Sequence, residues 1–105
     1  MKISKKSIIA ASIVRYLKKT NKATEREIAD HLGISCPYFH QTVKFLVKAG
    51  IVKSERGNNG GYTLNKDNVT YKDVVMAVDG KHWEYKGDWK IVVDQLKEVL
   101  KSNEV

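Results

Sequence analysis

The chain has 105 residues, 42% of them hydrophobic and 30% charged, with a net charge of +7. That is one domain's length, with enough apolar content to bury a modest core without disulfides or metal, and it argues against wholesale disorder. No apolar run approaches the ~20 residues of a membrane-spanning helix, and the single cysteine, Cys36, excludes an internal disulfide and fits a reducing compartment.

The opening MKISKKSIIAASIV is positive and then apolar, but no small-residue cleavage site follows and Arg15, Lys18 and Lys19 interrupt it. A soluble cytoplasmic protein is therefore expected. Residues 5–19 read as a first helix, with Ile9, Ile13, Tyr16 and Leu17 at helical spacing and lysines between them. Thr20-Asn21-Lys22 is a polar break. Thr24-Glu25-Arg26-Glu27 has the form of a capping box and opens a short second helix that carries Ile28 and Leu32 inward and stops at Gly33. Ser35 is a good N-cap for a third helix, and Pro37 is tolerated in its first turn. That helix runs to about Ala49, with Phe39, Val43, Leu46 and Val47 inward and Tyr38, His40, Gln41, Lys44 and Lys48 on the other face. Phe45 falls near Tyr38 on the helical wheel and has no evident inward place.

Ile51-Val52-Lys53-Ser54 reads as a strand, a glycine-rich turn follows, and Tyr62-Thr63-Leu64 returns, so the pair forms a hairpin. Thr70-Tyr71-Lys72-Asp73 marks another helix start, leading into Val74, Val75, Ala77 and Val78 with Gly80 as its stop. Residues 81–87 read as a polar linker with Trp83 and Tyr85. Asp88 then caps a last helix, on which Trp89, Val92, Val93, Leu96, Val99 and Leu100 form one apolar stripe.

The charge is unevenly placed. Residues 1–56 hold twelve Lys/Arg against four Asp/Glu, a balance of +8, whereas residues 57–105 hold seven against eight, a balance of −1. Basic charge concentrated in the half before the glycine turn suggests a polyanion partner; solubilising surface lysines are the plainer alternative. The order helix, short helix, helix, strand, wing, strand is that of a winged helix-turn-helix, whose third helix enters the DNA major groove while the second braces it. Gln41 suits paired hydrogen bonds to adenine, and His40 and Tyr38 suit base edges or phosphates. Ser35, Lys44 and Lys48 suit phosphate contacts. No serine, histidine and aspartate arrangement, zinc motif or phosphate-cradling loop can be assembled, so an enzyme is not expected. His31, His40 and His82 lack metal-ligand spacing.

The stretch GISCPYFHQTVKFLVKAGIVKSERGNNGGYTLNKDNVTYKDVVMAVDG resembles the Rrf2 family of bacterial transcription regulators. In that family the turn reads roughly G-I-S-x-x-Y-L-x-Q, then L-x-K-A-G-L-V-x-S, then R-G-P-G-G-G-Y, and the likeness reaches back to MKISKKS. The resemblance implies a fold that is mainly α with a small β-hairpin wing (α+β): a winged helix-turn-helix DNA-binding domain over residues 1–80, then a linker and C-terminal dimerisation helix over residues 81–105. It implies that Tyr38, His40 and Gln41 meet bases, that Arg56 enters the minor groove, and that Tyr62 closes the wing. Pro37 and the wing residues Gly57, Asn58, Asn59, Gly60 and Gly61 complete the expected DNA contacts. His40 stands where some members have a glutamate, and Asn58 where the family has a proline, so a more mobile wing is expected.

Sensing members hold an iron–sulfur cluster on three cysteines after the post-wing helix. Here that region is KHWEYKGDWK, without a cysteine, so no cofactor is expected. Cys36, in the first turn of the third helix, has two readings: a thiol activated by the helix N-terminus, or a small residue in a partly buried turn. The absence of a resolving partner favours the second. The stripe on the last helix reads either as intramolecular core or as the seam of a homodimer, which the resemblance also implies. The expected function is a sequence-specific regulator, a repressor binding a palindromic operator in double-stranded DNA as a homodimer. A non-transcriptional architectural DNA module, or a thiol- or ligand-responsive regulator, is the alternative.

Overall fold

The computed structural model describes residues 3–57, 60–83 and 89–105, with Trp89 described by its backbone alone. Helix α1 (Lys5–Thr20) begins at Ser4, whose hydroxyl accepts from the Ser7 N–H at 3.2 Å. Its buried face is Ser7, Ala10, Ile13, Val14 and Leu17. The expected Ile9 and Tyr16 lie at the margin of that face, half-buried against the core. A two-residue strand β1 (Lys22–Ala23) replaces part of the expected polar break. Helix α2 (Glu25–Leu32) opens on a complete capping box: the Glu27 N–H donates to the Thr24 hydroxyl at 3.2 Å, and the Thr24 N–H donates to the Glu27 carboxylate at 3.0 Å. Gly33 ends it with φ +67 and turns the chain into α3 (Cys36–Lys48).

On α3 the buried face is Phe39, Thr42, Val43 and Leu46. Thr42 takes the inward place expected for Val47, which is 40% exposed. The buried Thr42 hydroxyl is satisfied by donating to the Tyr38 carbonyl at 2.9 Å, so the polar atom costs little there. Strands β2 (Val52–Glu55) and β3 (Gly61–Leu64) form the expected hairpin, but β1 joins it: the sheet order is β1-β3-β2, all antiparallel, with Lys22 opposite Thr63 and Val52 opposite Leu64. Gly61, the first residue of β3, lies beside the end of β1. Its φ is +152, and a Cβ there would stand 2.8 Å from the Ala23 carbonyl oxygen.

Helix α4 (Tyr71–Asp79) repeats the capping box: Asp73 N–H to Thr70 Oγ1 at 3.2 Å, Thr70 N–H to Asp73 carboxylate at 2.9 Å. Gly80 does not stop the chain in a left-handed conformation. It keeps φ −53, and a 3₁₀ turn, Gly80–Trp83, continues the helix and buries Trp83. Trp83 is thus core rather than linker, while Tyr85 and Asp88 lie outside the described residues. Helix α5 (Trp89–Lys101) does not bury a continuous stripe. Val93 is buried and Leu96 and Leu100 are half-buried, packed with Val75, Met76 and Trp83 in a second cluster; Ile91, Val92 and Val99 are 61%, 56% and 60% exposed. The main core gathers α1, α2, α3, the sheet and Val74 of α4.

Two polar ties hold the ends. Asp79, 5% exposed, accepts from Ser4 N at 2.8 Å, Ser4 Oγ at 2.8 Å and Ser7 Oγ at 2.6 Å, locking the end of α4 to the start of α1. After α5 the chain returns to α4: Tyr71 N–H donates to Asn103 O at 3.0 Å and Val105 N–H to Val69 O at 2.9 Å.

Candidate nucleic-acid interface

The exposed face of α3 presents Pro37, His40, Gln41, Lys44 and Lys48, with Tyr38 half-buried beside them. Helical spacing puts Pro37, Gln41, Lys44 and Lys48 along one line, because residues three and four apart are neighbours on the surface. Ser35 caps the helix, its hydroxyl accepting from the Tyr38 N–H at 3.2 Å. That hydroxyl keeps its own proton to donate outward. Phe45 is half-buried, with Lys6 Nζ 5.7 Å and Lys44 Nζ 5.6 Å from its ring. Two cations near the ring face give it a polar setting that the helical wheel did not reveal.

Across the sheet, Arg56 and Gly57 are exposed and follow β2 directly. Gly60 N–H donates to Gly57 O at 2.9 Å, closing the turn. Asn58 and Asn59, and with them the expected mobility of the tip, lie outside the described residues. Gly60 is constrained as closely as Gly61: a Cβ on it would stand 2.7 Å from the Glu55 carbonyl oxygen. Tyr62 packs edge-on against the buried Phe39 of α3, ring centroids 5.1 Å apart. It therefore ties the base of the wing to the third helix. Burial raises the Tyr62 phenol above its ordinary value, and the nearby Glu25 carboxylate adds to the shift.

Glu25, the first residue of α2, is an acidic group that sequence reasoning left out of the site. Its carboxylate lies 2.8 Å from His40 Nε2. It also takes a hydrogen bond from the Cys36 thiol, and that bond, with burial and the Glu25 charge, raises the thiol above its ordinary value. The helix N-terminus alone would push the other way, so at Cys36 the carboxylate opposes it. Only the capping-box pattern T-E-R-E marked this place in the sequence; spacing along the chain does not say that α2 begins against the first turn of α3. Nearby, Lys22 pairs with Glu55 at 2.9 Å, bridging β1 to β2 across β3. That pair is exposed, and its stabilisation is small. His31 stacks on Tyr16 with ring centroids 4.3 Å apart, away from His40 on the chain and in role.

The Rrf2 family profile, described as that of an iron-dependent transcriptional regulator, matches residues 3–102. The chain belongs to the Rrf2 family. The solved structure of CymR, the global cysteine regulator of B. subtilis, superposes with a TM-score of 0.81 at 29% identity, covering 99% of this chain and 92% of that one. IscR of T. potens gives a TM-score of 0.74 at 28% identity over 99% of this chain and 82% of that one. YffB of Lactococcus lactis, which bears the name of an HTH-type transcriptional regulator, is 30% identical over 86 residues, 77% of this chain. The chain spans 55% of that relative, so about half its length. These Rrf2 relatives are transcriptional regulators rather than enzymes, and they share the winged helix seen here.

The profile's iron raises the question of ligands. Iron–sulfur clusters are held by thiolates. The one cysteine of this chain stands at the start of α3, hydrogen-bonded to Glu25, with its thiol raised rather than ionised. Among the described residues no three His, Cys, Asp or Glu side chains converge. This Rrf2 chain therefore does not fit a cluster held on three cysteines.

Proposed function

We propose that the protein is a cytoplasmic, homodimeric, sequence-specific DNA-binding transcriptional regulator, a repressor of promoters that carry a palindromic operator. Residues 1–80 form the DNA-binding domain, and residues 81–105, which start in the 3₁₀ turn that buries Trp83, carry the dimerisation helix. The observation that carries this reading is the cationic exposed face of α3 with Gln41 at its centre, together with an exposed Arg56 at the base of the wing. In this reading Gln41 pairs with an adenine in the major groove, and Ser35, Lys44 and Lys48 hold phosphates on either side. Arg56 enters the minor groove, where a narrow groove attracts a cation. Pro37, Tyr38, Gly57, Asn58, Asn59, Gly60, Gly61 and Tyr62 complete the contact surface. Of the expected dimerisation set Trp89, Val92, Val93, Leu96, Val99 and Leu100, the exposed Val92 and Val99 support an external partner for α5, whereas Val93, Leu96 and Leu100 pack on this chain's own second cluster.

A twofold dimer sets two α3 helices about 34 Å apart, one turn of DNA. Selection of bound sequences from random duplex DNA, repeated at several salt concentrations, tests the whole reading. The expected outcome is a palindrome with half-sites one turn apart and an affinity that falls as salt rises. A pool with no shared sequence would overturn it.

A further inference from the structure

Glu25 is out of place on a surface that meets a polyanion. It is a carboxylate at the centre of a half of the chain whose balance is +8. Its geometry supplies a reason for it. A carboxylate of this kind only accepts hydrogen bonds, so the nitrogen of His40 that it faces, Nε2 at 2.8 Å, must carry the proton. In a neutral imidazole the other nitrogen, Nδ1, then carries a lone pair. The His40 side chain is 54% exposed and stands one residue from Gln41 on α3. The same carboxylate acts on Cys36, one turn earlier on the same helix, and holds that thiol above its ordinary value. The contact from the neighbouring helix favours the ring orientation that turns Nε2 to Glu25 and leaves Nδ1 outward.

We infer that Glu25 is a positioning residue for base recognition: it fixes His40 as a hydrogen-bond acceptor, so that the base His40 meets is read through an exocyclic amino group, adenine N6 or cytosine N4. These are the amino donors of the major groove, whereas guanine and thymine present acceptors there. A histidine without this partner presents either a donor or an acceptor and separates the two classes poorly. The inference rests on the proposed function and adds the chemical class of one contact.

The test has three arms. Sequence selection with the wild type and with His40→Ala locates the base pair that His40 reads. Duplexes in which the amino group at that pair is removed, by purine for adenine or pyrimidinone for cytosine, then measure the contact at pH 8. The wild type is expected to lose about tenfold in affinity, and Glu25→Ala less than about threefold. Glu25→Ala should hold random duplex DNA at least as tightly as the wild type, since removing a carboxylate cannot weaken attraction to phosphates; a purely structural role would lower that affinity. An equal loss in wild type and Glu25→Ala, or a wild type indifferent to the amino group, overturns the inference while leaving the palindrome standing. Selection of no sequence at all by the wild type overturns the proposed function, and this inference with it. In the free wild-type protein at pH 8, nitrogen-15 spectra of the neutral His40 ring should show the Nε2–H tautomer with a lone pair on Nδ1; the Nδ1–H tautomer would overturn the inference without any variant.

Discussion

Gln41 and Lys44 stand three residues apart on the exposed face of α3, and their truncations should fail in different ways. Gln41→Ala is expected to lose about 1–3 kcal/mol of discrimination between the selected operator and scrambled DNA, because a bidentate amide-to-base contact is sequence-dependent. Lys44→Ala should weaken both DNAs alike and flatten the dependence of log affinity on log salt by about one. Equal losses on both duplexes for Gln41→Ala, or an unchanged salt slope for Lys44→Ala, would reverse those roles. The membership of this face was legible in the sequence because helical spacing fixes which residues share a side. What faces that side was not legible. Val47 falls on the apolar arc by spacing yet is exposed, and Thr42 goes in because its hydroxyl has a carbonyl one turn back to bond. The same limit hid Glu25, whose importance comes from a helix packed alongside rather than from its own neighbours in the chain.

At the scale of elements, the capping box at Thr24 and the helix start at Thr70 were legible, since a hydroxyl and a carboxylate three residues apart can each accept from the other residue's backbone N–H only when the chain turns into a helix. The box at Thr70 has a measurable consequence. Burial works to raise the Asp73 carboxyl, but hydrogen bonds from the Thr70 backbone and hydroxyl, with Lys66 3.6 Å away, hold it below its ordinary value of 3.8. The folded value is the lower one, so the contribution is full above the unfolded value and is lost as pH falls through the folded one. Asp73→Asn is expected to cost about 1 kcal/mol at pH 7. In urea titrations from pH 7 down to about pH 2, the gap to wild type should close below about pH 4; a gap of constant size would refute it. Strand β1 was illegible for a plain reason. Two residues carry no alternation, and what makes Lys22–Ala23 a strand is β3 beside it. The stop at Gly80 was legible, since α4 ends at Asp79 with Gly80 as its cap; the 3₁₀ turn that follows and buries Trp83 was not.

For the molecule as a whole, the apolar residues of α5 divide between two destinations. Val93, Leu96 and Leu100 close the second cluster over Val75 and Trp83, while Ile91, Val92 and Val99 face outward. Periodicity shows that such a helix is amphipathic, and it cannot apportion a wide apolar arc between its own chain and another. Val92→Asp combined with Val99→Asp is expected to halve the sedimenting mass and abolish joint occupancy of the two half-sites, without unfolding the domain. Loss of the fold together with the dimer would instead mark both valines as internal core. The family motifs made the winged helix legible across residues 1–80. The return of the chain after α5, with Val105 bonded to Val69 and Lys18 Nζ 2.6 Å from the Val105 carbonyl, has no counterpart in any local pattern.

The pairing of β1 with β3 also governs the order of events in folding. It joins Lys22 and Ala23 to Thr63 and Tyr62, so it encloses α2, α3 and β2 within a loop of about forty residues. A ladder two residues long offers too little to offset the entropy of closing so long a loop in an unfolded chain. The clasp is therefore expected to form late, after the enclosed helices have shortened the path, and to be absent from the folding transition state. Ala23→Gly should therefore speed unfolding and leave the refolding rate nearly unchanged in stopped-flow traces. A slowed refolding arm would mean that the clasp closes early and that the helices assemble inside it.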